Sequence, residues 1–318
     1  MPDKRNDYSR DVINVLRGLS MGAADIVPGV SGGTVALILG HYERLVTAIG
    51  NIDRQLMRLL QAGKLRLAAE HVDFRFLVGL GAGIAAGILL LASLMRYLLE
   101  HQQAYTYAVF TGLILSSSYL VARRLKSWRW YHAPVLIVGA VVAWQICLLS
   151  PVHGELTPLN AFLAATVAIC AMILPGISGA FVLLLLGLYH PITDLIKRVL
   201  HLDITLDGLA IITSFGCGCL IGLLAFTRLL KWLLAHRHDG TMAFLVGLML
   251  GSLYKIWPFQ RVLKETATLE FKEQRFENIW PTESPASLTL VMALVLAAIA
   301  ATLLLERIGT RMSNEKRA

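Results

Sequence analysis

Residues 26–43 read IVPGVSGGTVALILGHYE and residues 173–190 read ILPGISGAFVLLLLGLYH, identical at ten of eighteen aligned positions. The chain carries one apolar, helix-breaking segment twice, so any fold it adopts has to build two related units around the two copies. Pro28, Gly29, Ser31, Gly32, Gly40 and Tyr42 recur as Pro175, Gly176, Ser178, Gly179, Gly187 and Tyr189. The repetition continues downstream. Residues 81–119 align without a gap on 216–254, pairing Gly83 with Gly218, Gly87 with Gly222, His101 with His236, Thr106 with Thr241 and Gly112 with Gly247.

Both halves are written for a bilayer. Hydrophobic residues make up 56% of the chain, charged residues only 16%, and mean hydropathy is +0.63; a soluble chain carries about 25% charged residues. Charge-free stretches at 76–95, 104–122, 133–150, 208–227 and 284–305 are each near the roughly 20 residues that cross a bilayer as helix. A further one, 240–254, is shorter. The longest neutral run, 156–193, has Pro175 and Gly176 at its middle. As straight helix it would extend about 57 Å, too long for one crossing. A Pro-Gly pair stops a helix and lets the chain turn, which predicts a helix-break-helix hairpin over 156–198 and a matching one over 12–49. Each is either a re-entrant loop or a pair of full spans.

The predicted fold is an all-α integral membrane protein of two inverted repeats, 1–150 and 151–318, each a Pro-Gly-broken hairpin followed by three transmembrane helices. Three crossings are an odd number, so the second half is inverted relative to the first. The first half's twelve extra residues fall in a linker, 51–72, where Leu56, Leu59, Leu60 and Leu67 alternate with Arg54, Arg58, Lys64 and Arg66. That spacing suits either an amphipathic helix on an anionic leaflet or a solvated connector. With both termini in the cytoplasm, 21 of the 29 Lys and Arg residues fall on the inner side, as the positive-inside rule requires.

The polar N-terminal stretch MPDKRNDYSRD has no apolar core and is no secretory signal. The net charge of +8 is accounted for by cytoplasmic loops, and no nucleic-acid partner is expected. Cys147, Cys170, Cys217 and Cys219 fall inside predicted spans and read as packing residues; neither a metal nor another cofactor is expected.

Paired Gly/Pro-interrupted apolar segments in two halves of a membrane chain point to a substrate site between them. At the start of each second arm the break leaves backbone N–H groups without helical partners, and irregular backbone survives in a bilayer only when protein or a wet cavity surrounds it. Two opposed tips offering N–H groups, the Ser31 and Ser178 hydroxyls and helix-dipole ends form an anion site. Gly32, Gly33 and Gly179 let an oxyanion approach the backbone, and Thr34 adds a hydroxyl in the first copy only. The alternative is a structural kink in which the tips merely pack. Ionisable groups inside membrane segments cost at least about 2.5–3.5 kcal/mol and are functional candidates by default. Arg17 is either a phosphate ligand or an interfacial snorkeller. Asp25, opposite Met172 in the alignment, is either a coupling-ion site or a cap or partner for a neighbouring backbone or basic group. Glu43 is a second candidate for ion coupling or, with Arg44, an interfacial ion pair.

The pattern GAADIVPGVSGGTVALILGHYE followed by ILPGISG and LLLGLY resembles the bacterial polyprenyl-phosphate transporter family over nearly the whole chain. By that resemblance Arg17, Asp25, Pro28, Gly29, Ser31, Gly32, Gly33, Thr34, Tyr42 and Glu43 occupy first-motif positions, and Pro175, Gly176, Ser178, Gly179 and Tyr189 second-motif positions. Ala180 stands where such proteins often carry serine, and His190 where an acidic residue is common. The resemblance implies a multi-pass protein of the bacterial cytoplasmic membrane, not an enzyme. It would return undecaprenyl phosphate from the outer to the inner leaflet for cell-wall synthesis, among membrane lipids and with a proton or sodium ion as candidate coupling partner. Two other readings stand beside it: a channel or transporter for small anions, and a lipid-phosphate phosphatase, for which no serine has an Asp-supported histidine in view.

Overall fold

The computed structural model describes residues 4–26, 30–123, 125, 128–152, 154–200, 205–266 and 274–315. Pro28 and Gly29 of the first break lie outside the described residues. The first half runs α1 (Lys4–Asp25), α2 (Gly32–Ile38), α3 (Tyr42–Gly50), α4 (Arg54–Gln61), α5 (Leu65–His71), α6 (Phe74–His101), α7 (Gln103–Arg123) and α8 (His132–Leu148). The second runs α9 (Pro158–Ile173), α10 (Gly179–Leu185), α11 (Tyr189–Leu200), α12 (Leu206–His236), α13 (His238–Ser252) and α14 (Leu288–Glu315). Among the described residues α6, α7 and α12 are long and apolar enough to cross a membrane, and α10 with α11 form a pair bent by 110° that would make a fourth span if counted as one. Helices α8, α9 and the apolar part of α14 are shorter.

One feature departs from the all-helical expectation and another from a single linker helix. The segment before α14 contains an antiparallel ribbon, β1 (Gln260–Val262) with β2 (Phe276–Asn278), in register Arg261 opposite Glu277. The linker is two short helices, α4 and α5, because the chain turns at Gly63, whose φ of +67° is the left-handed region glycine enters freely. Neither hairpin has a continuous second arm. Gly40 (φ +71°) and Gly187 (φ +69°) break it after seven helical residues, about 10 Å of helix, far short of a bilayer's roughly 30 Å core.

The duplication is visible in local geometry. The turn from α6 to α7 passes through Gln102 (φ −133°, ψ 35°), that from α12 to α13 through Arg237 (φ −136°, ψ 45°). Thr106 and Thr241 each donate a 2.9 Å hydrogen bond to the carbonyl of that turn residue, and His101 and His236 each stack on the aromatic ring four residues earlier, Tyr97 and Trp232. Packing repeats as well. The most extensively packed helix pairs are α1 with α6, its counterpart α9 with α12, and the corresponding pairs α8 with α13 and α7 with α14. A Cβ at Gly83 would lie 2.1 Å from the Val15 carbonyl oxygen and one at its counterpart Gly218 2.3 Å from that of Phe162; Gly112 and Gly247 face Val295 and Leu136 at 2.5 and 2.1 Å. Without a water-driven force between helices in lipid, such backbone-to-backbone approach supplies the dispersion energy that holds a bundle together.

One cluster of charged residues surrounds α3 and the linker. Arg44 forks onto Asp73 at 2.6 and 3.1 Å while lying over the Phe76 ring, Arg75 pairs with Asp11, and Arg228 and Lys231 of α12 donate to the Ile52 carbonyl and the Asn51 side chain. These bonds tie α3 to the start of α6, α6 to α1, and α12 to the start of the linker. Beneath them the core is built of Tyr42, Val46, Phe76, Leu80, Leu245, Leu248 and Met249, all essentially inaccessible to solvent.

Candidate functional site

The two breaks meet. Ser31 caps α2, accepting from the Gly33 N–H at 3.0 Å, and its hydroxyl lies 3.2 Å from the carbonyls of both Met172 and Leu174 in the other copy, to either of which it can donate. The Gly176 N–H donates to Thr34 Oγ1 at 2.8 Å, and Tyr42 donates its hydroxyl to the Ile173 carbonyl at 3.1 Å. Ser31 and Thr34 are fully buried and Tyr42 nearly so. Apart from the Ser31 cap on Gly33, each of these bonds joins a side chain of the first copy to the backbone of the second.

Asp25, the last residue of α1, reaches across the break and accepts from the Gly32 N–H at 2.6 Å. A carboxylate thus occupies a donor that the sequence assigns to an anion. Met172 stands at the equivalent position of the second copy, and there Ser178 makes no side-chain cap on α10. The copies therefore use matching positions differently. Ser31 and Thr34 are bonded between the tips, whereas Ser178 and Phe181 line a cavity of about 70 Å³ together with Asp25, Ile26, Leu184 and Tyr189. Thr34 aligns with Phe181, so the inter-tip bond to Gly176 has no reciprocal.

Of the sequence-derived candidates, Asp25, Ser31, Gly32, Gly33, Thr34, Gly176, Ser178 and Gly179 are brought to the tips, with Pro175 and Gly176 forming the turn between α9 and α10. Arg17 is not. It lies two helical turns before Asp25 on α1, about 12 Å along the axis, donates to Asn14 at 3.5 Å, and has Arg44 and His41 as its electrostatic neighbours. Glu43 is also elsewhere: it pairs with His238 at 3.0 Å, whose other ring nitrogen lies 3.2 Å from Asp239, while Arg44 binds Asp73. Glu43 and Arg44 therefore take separate partners. Tyr42 emerges as an inter-tip donor, a role that a recurring Gly-x-Tyr does not by itself reveal.

Thr34→Val keeps the shape of the side chain and leaves the Gly176 N–H without its buried acceptor, at a cost of about 1–3 kcal/mol. The expected result is a lowered unfolding temperature in detergent, with Thr34→Ser close to wild type; equal melting of the valine and serine variants would mean the bond contributes nothing.

A family model described as undecaprenyl phosphate translocase-like matches residues 21–274. The chain is 41% identical over 300 residues to the polyprenyl-phosphate transporter of Vibrio cholerae serotype O1, covering 92% of this chain and 95% of that protein. It is 32% identical over 258 residues to the polyprenyl-phosphate transporter of Staphylococcus aureus, covering 77% and 86%. No solved structure matches. The family match takes in both breaks and the tip residues gathered around Asp25, and the chain belongs to the undecaprenyl phosphate translocase-like family.

Proposed function

We propose that the protein carries polyprenyl phosphate across the bacterial cytoplasmic membrane, returning undecaprenyl phosphate from the outer to the cytoplasmic leaflet for reuse as carrier lipid. The observation that carries this reading is the bonding of Ser31 and Thr34, just past the first break, to the backbone of the second break beside a cavity walled by Asp25 and Ser178. The substrate class comes from the relatives, both named polyprenyl-phosphate transporter. A lipid monophosphate has a charged head that needs polar partners through the low-dielectric centre and a tail that never leaves hydrocarbon, and two broken hairpins meeting between repeats suit that combination.

In this reading the halves are inverted repeats with cytoplasmic termini and re-entrant hairpins. The seven-residue arms α2 and α10, and the exchange of α1–α6 packing for α9–α12 and of α7–α14 for α13–α8, support it. The phosphate enters beside Ser178, which faces the cavity, and is held by Ser31, Gly32, Gly33, Thr34, Ser178 and Gly179 once the tips part and release the bonds that now occupy Ser31, Gly33 and Thr34, with Arg17 nearer the cytoplasmic end as a ligand on the exit side. Asp25 bonded to the Gly32 N–H competes with phosphate for that donor. A proton or sodium ion neutralising Asp25 frees the N–H and removes the repulsion, which couples ion and lipid. Glu43, paired with His238, is assigned to the cytoplasmic rim.

The deciding experiment is leaflet-resolved transport of polyprenyl phosphate in proteoliposomes, run beside uptake of inorganic phosphate from bulk solution. Lipid return without bulk uptake is expected; bulk uptake alone would make the protein a small-anion transporter, and release of free phosphate would make it a phosphatase. Inversion is checked separately by single cysteines at 101 and 236 on a cysteine-free background. They are expected to label from opposite faces, and labelling from the same face would end the inverted-repeat reading.

A further inference from the structure

A larger cavity, about 500 Å³, lies under the β1–β2 ribbon and shares two wall residues, Phe181 and Leu184, with the tip cavity. Lys255 lines it, its ammonium 4.5 Å from the centroid of the Phe181 ring. Among the described residues no carboxylate lies within ion-pair distance of that ammonium: Glu277, the acidic residue of the wall, pairs with Arg261 at 3.4 Å. Arg275, bonded to Ser150, is close enough to oppose the charge on Lys255. Burial pushes the Lys255 ammonium below the ordinary lysine range, and Arg275 adds to that effect while Cys147 opposes it. A cation partly stripped of water, facing a second cation, is stabilised by an anion.

On its other side the cavity shares Tyr254 and Asn278 with an apolar groove of about 790 Å³ between α8 and α13. Trp144, Trp257 and Trp280 line that groove, each partly exposed on the protein's outer flank. Polar cavity and apolar groove thus adjoin, and the polar cavity abuts the tips. That sequence of environments matches an amphiphile with one anionic end.

We propose that this cavity and groove form a second binding site for prenyl monophosphate, with Lys255 holding the phosphate and the tryptophan-lined groove receiving the first isoprene units. The proposal rests on the lipid-phosphate reading above. In the proposed orientation the ribbon faces outward, so the site loads the head group from the outer leaflet and passes it by Phe181 to Ser178 and Asp25.

The test uses the full-length protein in nanodiscs with farnesyl phosphate as probe and farnesol and inorganic phosphate as controls. Lys255→Gln is expected to weaken farnesyl phosphate binding by about tenfold or more, the scale of a charge-assisted hydrogen bond, and to leave farnesol binding unchanged, while Lys255→Arg retains most of the affinity. Cys147 lines the same cavity, so farnesyl phosphate should slow its maleimide labelling in unmutated protein, read by peptide mass spectrometry; inorganic phosphate alone should not. Wild-type affinity in Lys255→Gln, or labelling of Cys147 unaffected by farnesyl phosphate, overturns the site even where polyprenyl phosphate is transported. Absence of both prenyl-phosphate binding and transport in the wild type overturns this site and the transport reading together.

Discussion

Replacing Gly33 by valine is expected to abolish lipid return and to destabilise the folded protein by about 1–3 kcal/mol, the cost of overfilling a packed interior. A Cβ at this position would sit 2.6 Å from the Ile173 carbonyl oxygen and 3.2 Å from Ser31 Oγ. The obstacle is backbone, and the same Ile173 carbonyl accepts the Tyr42 hydroxyl, so it cannot retreat without breaking a second inter-tip bond. Gly32 differs. Its Cβ would meet the Asp25 carboxylate at 2.8 Å, the free end of a side chain, so Gly32→Ala should displace Asp25 and cost less. Gly179 resembles Gly33, with the Ala168 carbonyl 2.7 Å from its Cβ. Thermal unfolding in detergent and proteoliposome transport check the ranking. Wild-type melting and transport in Gly33→Val would mean that the tips need not touch, and the site built on their contact would fall.

Asp25→Asn is expected to remove the dependence of transport on an ion gradient, lowering gradient-driven lipid return by about tenfold or more while prenyl-phosphate binding changes by less than about threefold. Moving an anionic head inward works against a membrane potential worth about 2.3 kcal/mol per charge per 100 mV. Net return therefore needs a co-transported cation or a downstream sink. Asparagine preserves an acceptor for the Gly32 N–H, held at 2.6 Å by Asp25, but cannot gain or lose a proton. Asp25→Ala removes the acceptor too and should lose stability as well as coupling, which separates the two roles. The measurement is leaflet-resolved transport under imposed proton or sodium gradients. A wild type indifferent to both would make the protein a passive scramblase and leave Asp25 as a cap.

Much of the scaffold was legible because it depends on periods and counts that need no partner. The charge-free runs at 76–95, 104–122 and 208–227 lie within α6, α7 and α12, since a bilayer-length apolar run has helix as its way of satisfying its own backbone. The alignment of Gly83 with Gly218 and of Gly112 with Gly247 anticipated glycines with equivalent structural work, and each pair does admit a neighbouring backbone carbonyl. The resemblance to a polyprenyl-phosphate transporter family rested on two linked motifs and agrees with the family match.

The site was legible only as a list of residues. Sequence placed Ser31, Thr34 and Gly32 at a break and predicted donors awaiting an anion, but which acceptor satisfies a donor depends on what folding brings within 3 Å. Asp25 takes the Gly32 N–H, Ser31 takes that of Gly33, and Thr34 takes that of Gly176 from 142 positions away. Arg17 and Glu43, close to the motif in sequence, are carried away from the tips by the rise of α1 and by the turn at Gly40. Lys255, remote in sequence, is brought to the ring of Phe181. The sequence alone determined the membrane class, the helical runs and the repeated local geometry, because hydrophobic length and backbone conformation are local properties. Tertiary structure decided which copy supplies the bonds between the tips and which lines the cavity, because hydrogen bonds form at distances that chain order does not encode.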